Sequence, residues 1–143
     1  MGAVATFLEK TLAGRPIELW GDGSQRRDFV YVGDAVDALV RMGDVDTPRW
    51  RILNVGSGKE TAIAELCELV FSVSGQRTEV RLLPARRFDV PVNVLDIRRA
   101  RELLAFDPST GLEEGIRRTW TWLTNPLGGP SGPAGAPGHG RSS

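Results

Sequence analysis

The sequence predicts a small mixed α/β domain followed by a flexible tail. Apolar residues recur at helical spacing in several segments, short β-rich runs and glycine turns separate them, and from residue 125 the composition shifts to Gly, Pro, Ala and Ser. With 143 residues, 41% hydrophobic and 25% charged, the chain can bury one modest core. We therefore expect a folded domain over residues 1–124 and a disordered tail over residues 125–143.

The N-terminal elements are predicted from periodicity and from stop signals. A first helix is expected to end near Ala13, because a glycine and a proline follow at once. Residues 17–20 predict a strand, residues 21–24 a tight turn, and residues 28–32 a second β-rich segment. The two short strands therefore flank a glycine-rich turn.

The middle of the chain predicts two helices from their apolar faces. The first is expected to be capped by Asp34 and broken by residues 44–48. Its predicted apolar face consists of Ala35, Val36, Leu39 and Val40. The second follows a strand over residues 52–55 and a Gly-Ser-Gly turn. Its predicted face consists of Ile63, Leu66, Cys67 and Val70.

The C-terminal part of the domain predicts two more extended segments and two helices. Residues 80–83 and 92–95 are the extended candidates, and an arginine-rich segment separates them. Asp96 is expected to cap the helix that follows. Thr110 and Glu113 have the spacing of a capping box, which predicts the start of a last helix.

Composition excludes several classes of function. Eighteen Lys and Arg balance eighteen Asp and Glu, which argues against nucleic acid and anionic membranes as partners. The only histidine, His139, lies in the tail, so neither a histidine-based catalytic triad nor a histidine-containing zinc site is expected. Cys67 sits in a helical pattern of apolar residues, which indicates a buried hydrophobic side chain. With no membrane-spanning run or signal peptide, we expect a cytoplasmic protein.

Two basic segments are candidate anion sites. Arg27 follows the first glycine-rich turn, where its planar guanidinium could bind a phosphate; the alternative is a solvated side chain paired with Asp28. Arg86 and Arg87, followed by Asp89, form the second segment, for which a solvated basic loop is again the alternative. Two such clusters that converged could neutralise a diphosphate.

The Gly-Ser-Gly-Lys segment at residues 56–59 does not match a nucleotide-binding fingerprint. It lacks the glycine spacing of a phosphate-binding loop, and Glu60 stands where a hydroxyl residue would bind magnesium. The third glycine of the dinucleotide fingerprint is also missing. We therefore expect an ordinary turn into a helix, capped by Ser57 or Thr61.

Four motifs in a fixed order resemble a known family. They are Gly14-Arg-Pro-Ile, Gly21-Asp-Gly-Ser-Gln followed by Arg27-Asp-Phe-Val-Tyr-Val, Asn54-Val-Gly-Ser-Gly-Lys-Glu-Thr, and Leu112-Glu-Glu-Gly-Ile. Together they resemble extended short-chain dehydrogenase/reductase enzymes of the NAD-dependent sugar-nucleotide epimerase/dehydratase family. The resemblance covers about residues 2–123 and is most like the UDP-glucose 4-epimerase type.

The resemblance implies an enzyme of two halves with different roles, and this chain matches only one of them. In that family an N-terminal Rossmann half binds NAD and carries a Tyr-x-x-x-Lys pair, while the C-terminal half binds the nucleoside-diphosphate sugar. The chain resembles only the second half, a small mixed α/β substrate-binding subdomain. NAD, which takes a hydride from the sugar and returns it, is therefore expected in the parent enzyme and not on this chain. The chain is expected to be a truncated fragment that is inactive alone, with no catalytic, cofactor-binding or metal-binding residues.

Site residues follow from the resemblance position by position. Arg27 and Arg86 are expected to clamp the diphosphate of the substrate. Asp89 is expected to bind a ribose hydroxyl, and the main chain from Glu18 to Trp20 to read the nucleobase.

Two positions depart from the family pattern. Gly33 stands where the family more often has Asp, and Arg87 and Phe88 stand where it more often has Pro-Gly. The aromatic residue is expected to shift the neighbouring Asp89 or to alter the sugar pocket.

Other functions remain open at this point. The parent enzyme could be a nucleotide-sugar 4,6-dehydratase. The chain could instead be a stand-alone, non-catalytic nucleotide-sugar-binding module that works with a separate Rossmann-containing chain or as a homodimer. It could also be an inactive remnant that exposes an apolar face.

Overall fold

The computed structural model describes residues 2–45 and 52–125 and confirms the mixed α/β fold. The helices in these residues are α1 (Ala3–Leu12), α2 (Val32–Gly43), α3 (Ile63–Ser74), α4 (Arg98–Leu104) and α5 (Leu112–Thr124). The strands are β1 (Ile17–Trp20), β2 (Arg26–Arg27), β3 (Thr61–Ala62), β4 (Val80–Leu83) and β5 (Val92–Asn93). The predicted disordered tail lies outside the described residues apart from Asn125, the C-cap of α5.

The strands form two small sheets, and two loops run from the first sheet to the second. In the first, β1 pairs with β4 in parallel. In the second, β2 pairs in parallel with β5 and antiparallel with β3. Because β1 leads to β2 and β4 leads to β5, the two connecting loops must run side by side. This topology places the glycine-rich turn next to the arginine-rich segment.

The main core lies between α1, β1, α3 and α5. Its buried residues are Phe7, Leu8, Ile17, Leu19, Leu66, Cys67, Val70, Phe71 and Ile116. Cys67 is buried as predicted, and burial, aided by the charge of Glu68, raises the pKa of its thiol to about 11. The thiol is therefore an inert part of the core.

A second, smaller core joins α2 to α4. It consists of Ala38, Ala100, Leu104 and Phe106. None of the helices in the two described stretches is long and apolar enough to cross a bilayer.

Several predicted elements are confirmed. Helix α1 ends at Leu12 with Ala13 as its C-cap, and Gly14 follows at a φ of 64°, a left-handed conformation that favours glycine. Strands β1 and β4 have the predicted bounds, and helix α3 buries the predicted side. The helix predicted after Asp96 is α4, but its N-cap is Ile97 and not Asp96, which accepts a hydrogen bond from the Arg98 N–H (3.1 Å).

Three strand predictions were wrong in whole or in part. The second strand is Arg26–Arg27, and residues 28–31 lead without a strand partner into α2. Residues 52–55 form no strand, and the last strand is limited to Val92–Asn93. The β-branched and aromatic residues in these segments favour an extended backbone, but a strand also needs a neighbour with free hydrogen-bonding groups.

The predicted apolar face of α2 is largely exposed, and the helix packs through another side. Ala38 is fully buried against α4, whereas Val36, Leu39 and Val40 are 51–65% exposed. Together with the exposed Val32 they form a row at helical spacing, the apolar stripe (Val32, Val36, Leu39 and Val40). Periodicity identified the apolar side of this helix correctly but not what covers it.

The predicted caps of α2 and α5 were also wrong. Tyr31 is the N-cap of α2, and Gly111 is the N-cap of α5 with no side-chain capping bond. Asp34 instead accepts hydrogen bonds from the Thr110 N–H (3.0 Å), the Ser109 hydroxyl (3.0 Å) and the Thr110 hydroxyl (3.3 Å). The predicted capping residues therefore join two distant segments to each other.

Replacing Asp34 should show how much this junction contributes to stability. Burial alone would raise the pKa of Asp34, but the hydrogen bonds from Thr110 and Ser109 outweigh it and lower the pKa below its ordinary 3.8. The ionised carboxylate therefore stabilises the fold above about pH 4, and this contribution is lost as the pH falls through the lowered pKa. Asp34→Ala should reduce the free energy of unfolding by about 2–3 kcal/mol at pH 7 in urea titrations.

Asp34→Asn is the matched control, because it keeps an acceptor without a titratable group. It should retain part of the stability and lose only the share of the wild-type pH dependence below pH 4 that Asp34 contributes. A wild-type minus Asp34→Ala difference that stayed constant down to pH 2 would contradict the assignment.

Candidate functional site

Two neighbouring loops form the candidate site: the glycine turn (residues 21–25) and the arginine loop (residues 84–91). The Gly21 N–H donates to the Leu83 carbonyl (2.8 Å) at one end, and the Arg26 N–H donates to the Pro91 carbonyl (2.7 Å) at the other. A Cβ on Gly21, whose φ is 75°, would lie 3.5 Å from the Ala85 Cβ. The glycine thus provides the turn conformation, and the closest contact of such a Cβ would be the Gln25 side-chain amide at 3.0 Å.

Trp20 and Arg86 meet where these loops begin. The Arg86 guanidinium carbon lies 3.6 Å from the centroid of the Trp20 ring, well within cation–π distance. The Arg86 carbonyl accepts the Asp89 N–H (3.2 Å), which closes a tight turn over Arg87 and Phe88. Phe88, the aromatic residue noted in the sequence, is exposed at the tip of this turn.

Arg27 lies against the far end of the arginine loop. Its Nη1 donates to the carbonyls of Arg26 (2.8 Å) and Val90 (2.7 Å). The alternative expected from the sequence, an ion pair between Arg27 and Asp28, does not form. Arg27 therefore contacts one end of the arginine loop, and Trp20 and Arg86 meet at its other end.

Glu18 lies farther along β1 and has a partner of its own. Its carboxylate binds the Lys10 ammonium (2.9 Å), and this hydrogen bond, followed by the charges of Lys10 and Arg81, lowers the pKa of Glu18. Ile17 and Gly21 donate their N–H groups toward β4, so alternation turns the main-chain groups of Glu18 and Trp20 to the other edge of β1. The Trp20 carbonyl there accepts the Gln25 side-chain amide (2.7 Å).

The charge around the arginine loop is less compensated than elsewhere. Most arginines in the described residues form ion pairs: Arg15, Arg26, Arg41, Arg77, Arg81, Arg98, Arg101, Arg117 and Arg118. Within residues 2–45 and 52–125, no such ion pair involves Arg27, Arg86 or Arg87. The chain has no formal net charge, yet along this loop three arginines without an ion pair among the described residues accompany one carboxylate, that of Asp89.

Asp28 is a structural residue that the sequence reasoning missed. Its carboxylate accepts the N–H (2.7 Å) and hydroxyl (2.5 Å) of Ser57 and the N–H groups of Gly58 (2.9 Å) and Leu95 (3.2 Å). A Cβ on Gly56 would lie 2.7 Å from the Asp28 Oδ2, so the approach requires glycine. The available signal was a Gly-Ser-Gly turn whose N–H groups needed an acceptor.

The Gly-Ser-Gly turn (residues 56–58) is therefore not an anion site. The Ser57 and Gly58 N–H groups are already bound by the Asp28 carboxylate. Neither Ser57 nor Thr61 caps α3 as predicted; Ala62 is the N-cap, and its N–H donates to the Glu65 side chain (2.9 Å). Across residues 2–45 and 52–125, no group of His, Cys, Asp and Glu side chains is placed to hold a metal ion.

Tyr31 packs against two glycines beside a surface cavity. A Cβ on Gly33 would lie 2.9 Å from the Tyr31 ring, and one on Gly115 would lie 3.2 Å from it. The Arg118 guanidinium lies 5.3 Å from the ring centroid. The cavity, of about 400 Å³, is lined mainly by apolar side chains that include Val4, Phe29, Val32 and Ile116.

Comparison with known proteins gives consistent matches over nearly all of the described residues. Residues 1–56 match the model of the NAD dependent epimerase/dehydratase family. A UDP-glucose 4-epimerase from Mycolicibacterium smegmatis is 42% identical over 124 residues, which cover 87% of this chain and 39% of that protein. A dTDP-4-dehydro-6-deoxy-D-allose reductase from a Streptomyces species is 38% identical, with 83% of this chain and 36% of that protein covered.

A solved structure shares the fold as well. The UDP-glucose 4-epimerase of Thermotoga maritima, crystallised with UDP-glucose, superposes with a TM-score of 0.80 at 33% identity. The match covers 88% of this chain and 40% of that one. The chain therefore spans about two fifths of the length of the proteins it matches.

Removing the Asp28 carboxylate should destabilise the whole arrangement. Asp28→Ala leaves three main-chain N–H groups without their acceptor, and we expect the free energy of unfolding to fall by about 2–4 kcal/mol in urea titrations. Asp37→Ala is the control, because Asp37 forms only an exposed helical ion pair with Arg41 and its loss should cost about 0.5 kcal/mol or less. Equal stabilities for the two variants would contradict this role.

Proposed function

The chain belongs to the NAD dependent epimerase/dehydratase family of extended short-chain dehydrogenases/reductases, and on this premise we propose that it binds the nucleoside-diphosphate sugar for such an enzyme. We propose the UDP-sugar 4-epimerase type, with the remainder of the enzyme supplying catalysis. By itself the chain is then inactive. It orients the substrate, and this contributes to catalysis only when the reacting groups are also present.

The uncompensated arginines along the arginine loop carry this proposal. Arg86 belongs to that loop and Arg27 contacts it, and neither forms an ion pair with a carboxylate of the described residues. A diphosphate prefers planar guanidinium donors, which can form two charge-assisted hydrogen bonds each. The positive charge of these arginines would also attract the anion toward this edge of the domain.

The other site residues fit the remaining parts of a nucleotide sugar. In the proposed complex, Asp89 accepts a hydrogen bond from a ribose hydroxyl, because it lies directly after the turn that begins at Arg86. The main-chain groups of Glu18 and Trp20 face away from β4, and we propose that this edge of β1 reads the nucleobase beside the Gln25 amide that already binds the Trp20 carbonyl. The exposed Phe88 would face the sugar side of the same loop.

The variety of the relatives supports substrate binding as the shared task. One is a UDP-glucose 4-epimerase and another a dTDP-4-dehydro-6-deoxy-D-allose reductase. Both names contain a nucleoside diphosphate joined to a sugar, but they describe different reactions. This pattern also favours a second candidate, a portion of a nucleotide-sugar reductase or dehydratase. Both candidates use the same diphosphate-binding groups.

The residues of this chain do not fit NAD. No G-x-G-x-x-G fingerprint occurs in the 143 residues, and the Gly-Ser-Gly turn before α3 has its N–H groups bound by Asp28. The only tyrosine, Tyr31, is packed between glycines, and Ala35 stands four residues later where a catalytic lysine would be needed. We therefore propose that another portion of the enzyme holds NAD.

The apolar stripe on α2 is the surface we propose for that portion. Its four side chains are 51–67% exposed, which is costly for a helix face unless another surface covers it. Val32 also lines the apolar cavity beside Tyr31, so stripe and cavity form one continuous surface. The proposed occupant is the NAD-binding portion of a family enzyme, in the same chain or in a separate one.

Loss of the Arg86 guanidinium should weaken substrate binding. We expect Arg86→Ala to lower the affinity for UDP-glucose in isothermal titration calorimetry by about 1.5–3 kcal/mol, roughly 10- to 150-fold. Arg86 is a cleaner test than Arg27, whose Nη1 also joins β2 to the arginine loop and whose loss would affect folding.

Arg101→Ala is the matched control. Arg101 lies on α4 and forms an exposed ion pair with Asp107, so the variant removes the same charge from a different place. Its affinity should stay within about twofold of the wild type. Equal affinities for the wild type and Arg86→Ala would remove the diphosphate assignment.

The apolar stripe can be tested by co-expression. The tagged chain should co-purify with the part of the Mycolicibacterium smegmatis UDP-glucose 4-epimerase that lies outside the matched region. Leu39→Glu should reduce the recovered partner at least about tenfold, because a buried, unpaired carboxylate is costly. Leu82→Glu is the matched control, since both leucines are 65% exposed but Leu82 lies on β4. Equal losses in the two variants would contradict the proposed interface.

A further inference from the structure

We propose that the Trp20 side chain is a positioning residue that holds the Arg86 guanidinium ready for a diphosphate. This inference rests on the proposed function. There, only the main-chain groups of Trp20 have a role, in binding the nucleobase, and the inference adds a role for its indole. It concerns how the arginine is held before the ligand arrives.

The geometry of the pair points to a flat stack. At 3.6 Å from the ring centroid, the guanidinium carbon is at van der Waals contact with the indole, which a planar group reaches when it lies along the ring face. All N–H groups of a guanidinium lie in its own plane. They therefore point outward from the edge of the stack, where they can form paired hydrogen bonds with phosphate oxygens.

Both partners are attached to fixed main chain. Trp20 is the last residue of β1 and pairs with Leu83, and its carbonyl accepts the Gln25 amide (2.7 Å). Arg86 begins the turn that the Asp89 N–H closes. The stack therefore connects the end of one strand pair to the start of the arginine loop.

The indole lies outside the buried clusters that hold the described residues together. Trp20 is 39% exposed and does not belong to either hydrophobic core of the described residues. Its neighbours on the same strand, Ile17 and Leu19, carry the core contacts of β1. This large, partly exposed aromatic side chain is thus available to support the guanidinium.

The adjacent Arg87 shows what the stack adds. It carries the same charge in the same loop, but no ring contact or ion pair of it is found among the described residues. A long flexible side chain must lose rotamer freedom when it binds a ligand, and a side chain already held in place loses less. Arg86, and not Arg87, is therefore the pre-organised donor.

The test uses the full chain with UDP-glucose in isothermal titration calorimetry. Trp20→Leu should weaken binding about three- to tenfold, whereas Trp20→Phe, which keeps an aromatic face, should stay within about twofold of the wild type. The double variant Trp20→Leu/Arg86→Ala should bind no more weakly than Arg86→Ala alone, because no guanidinium remains to be positioned. A purely structural role would instead give losses that add.

A second measurement needs no ligand. In the free chain, the ring current of Trp20 should shift the Arg86 side-chain protons upfield in the NMR spectrum, and Trp20→Leu should abolish this shift. Absence of the shift in the wild type would overturn the inference.

The binding outcomes separate this inference from the proposed function. If the wild type binds UDP-glucose and Arg86→Ala weakens it, then unchanged affinity in Trp20→Leu, or additive losses in the double variant, would overturn the positioning role alone. If the wild type binds no UDP-glucose although the upfield shift is present, the proposed function fails, and the positioning role falls with it because the stack is then only a packing contact.

Discussion

The Asp28 carboxylate is the interaction on which the site geometry depends. Located directly after β2, it accepts hydrogen bonds from the Gly-Ser-Gly turn and from the Leu95 N–H. Three segments far apart in sequence are thereby fixed around one side chain. Since Arg27 precedes Asp28, the same anchor sets where the guanidinium of Arg27 leaves the small sheet. An acidic residue next to the proposed anion site thus stabilises the site without neutralising it.

Electrostatics at the site comes from placement and not from overall charge. Basic and acidic residues are equal in number, and most described arginines are paired with a nearby carboxylate. Arg27 instead contacts main-chain carbonyls, and Arg86 contacts an aromatic ring. Both contacts orient a guanidinium while leaving its charge uncancelled. Both features suit the diphosphate binding that we propose for this site.

Local patterns predicted elements whose signals are local. Helix α1, strand β1 and the buried Cys67 followed from spacing and stop residues, because those residues meet partners on the side that periodicity identifies. The roles of Asp28 and Asp34 could not be predicted, since each depends on N–H groups about 30 to 76 residues away. For α2, periodicity found the apolar side but could not show that α4 covers the opposite side. The candidate site itself came from the order of several motifs, because Arg27 and Arg86 taken singly resemble any solvated arginine.

The parallel pairing of β1 with β4 and of β2 with β5 has a consequence for how such domains diversify. Each end of residues 84–91 is held by a main-chain hydrogen bond, one from Gly21 and one from Arg26. These bonds do not involve the side chains of the segment. The segment between those two hydrogen bonds can change in sequence while the strands that carry it keep their shape. Exchange of Arg87, Phe88 and Val90 alone, with Arg86 and Asp89 kept, would therefore change the surface beside the proposed diphosphate site while the main-chain frame stays in place.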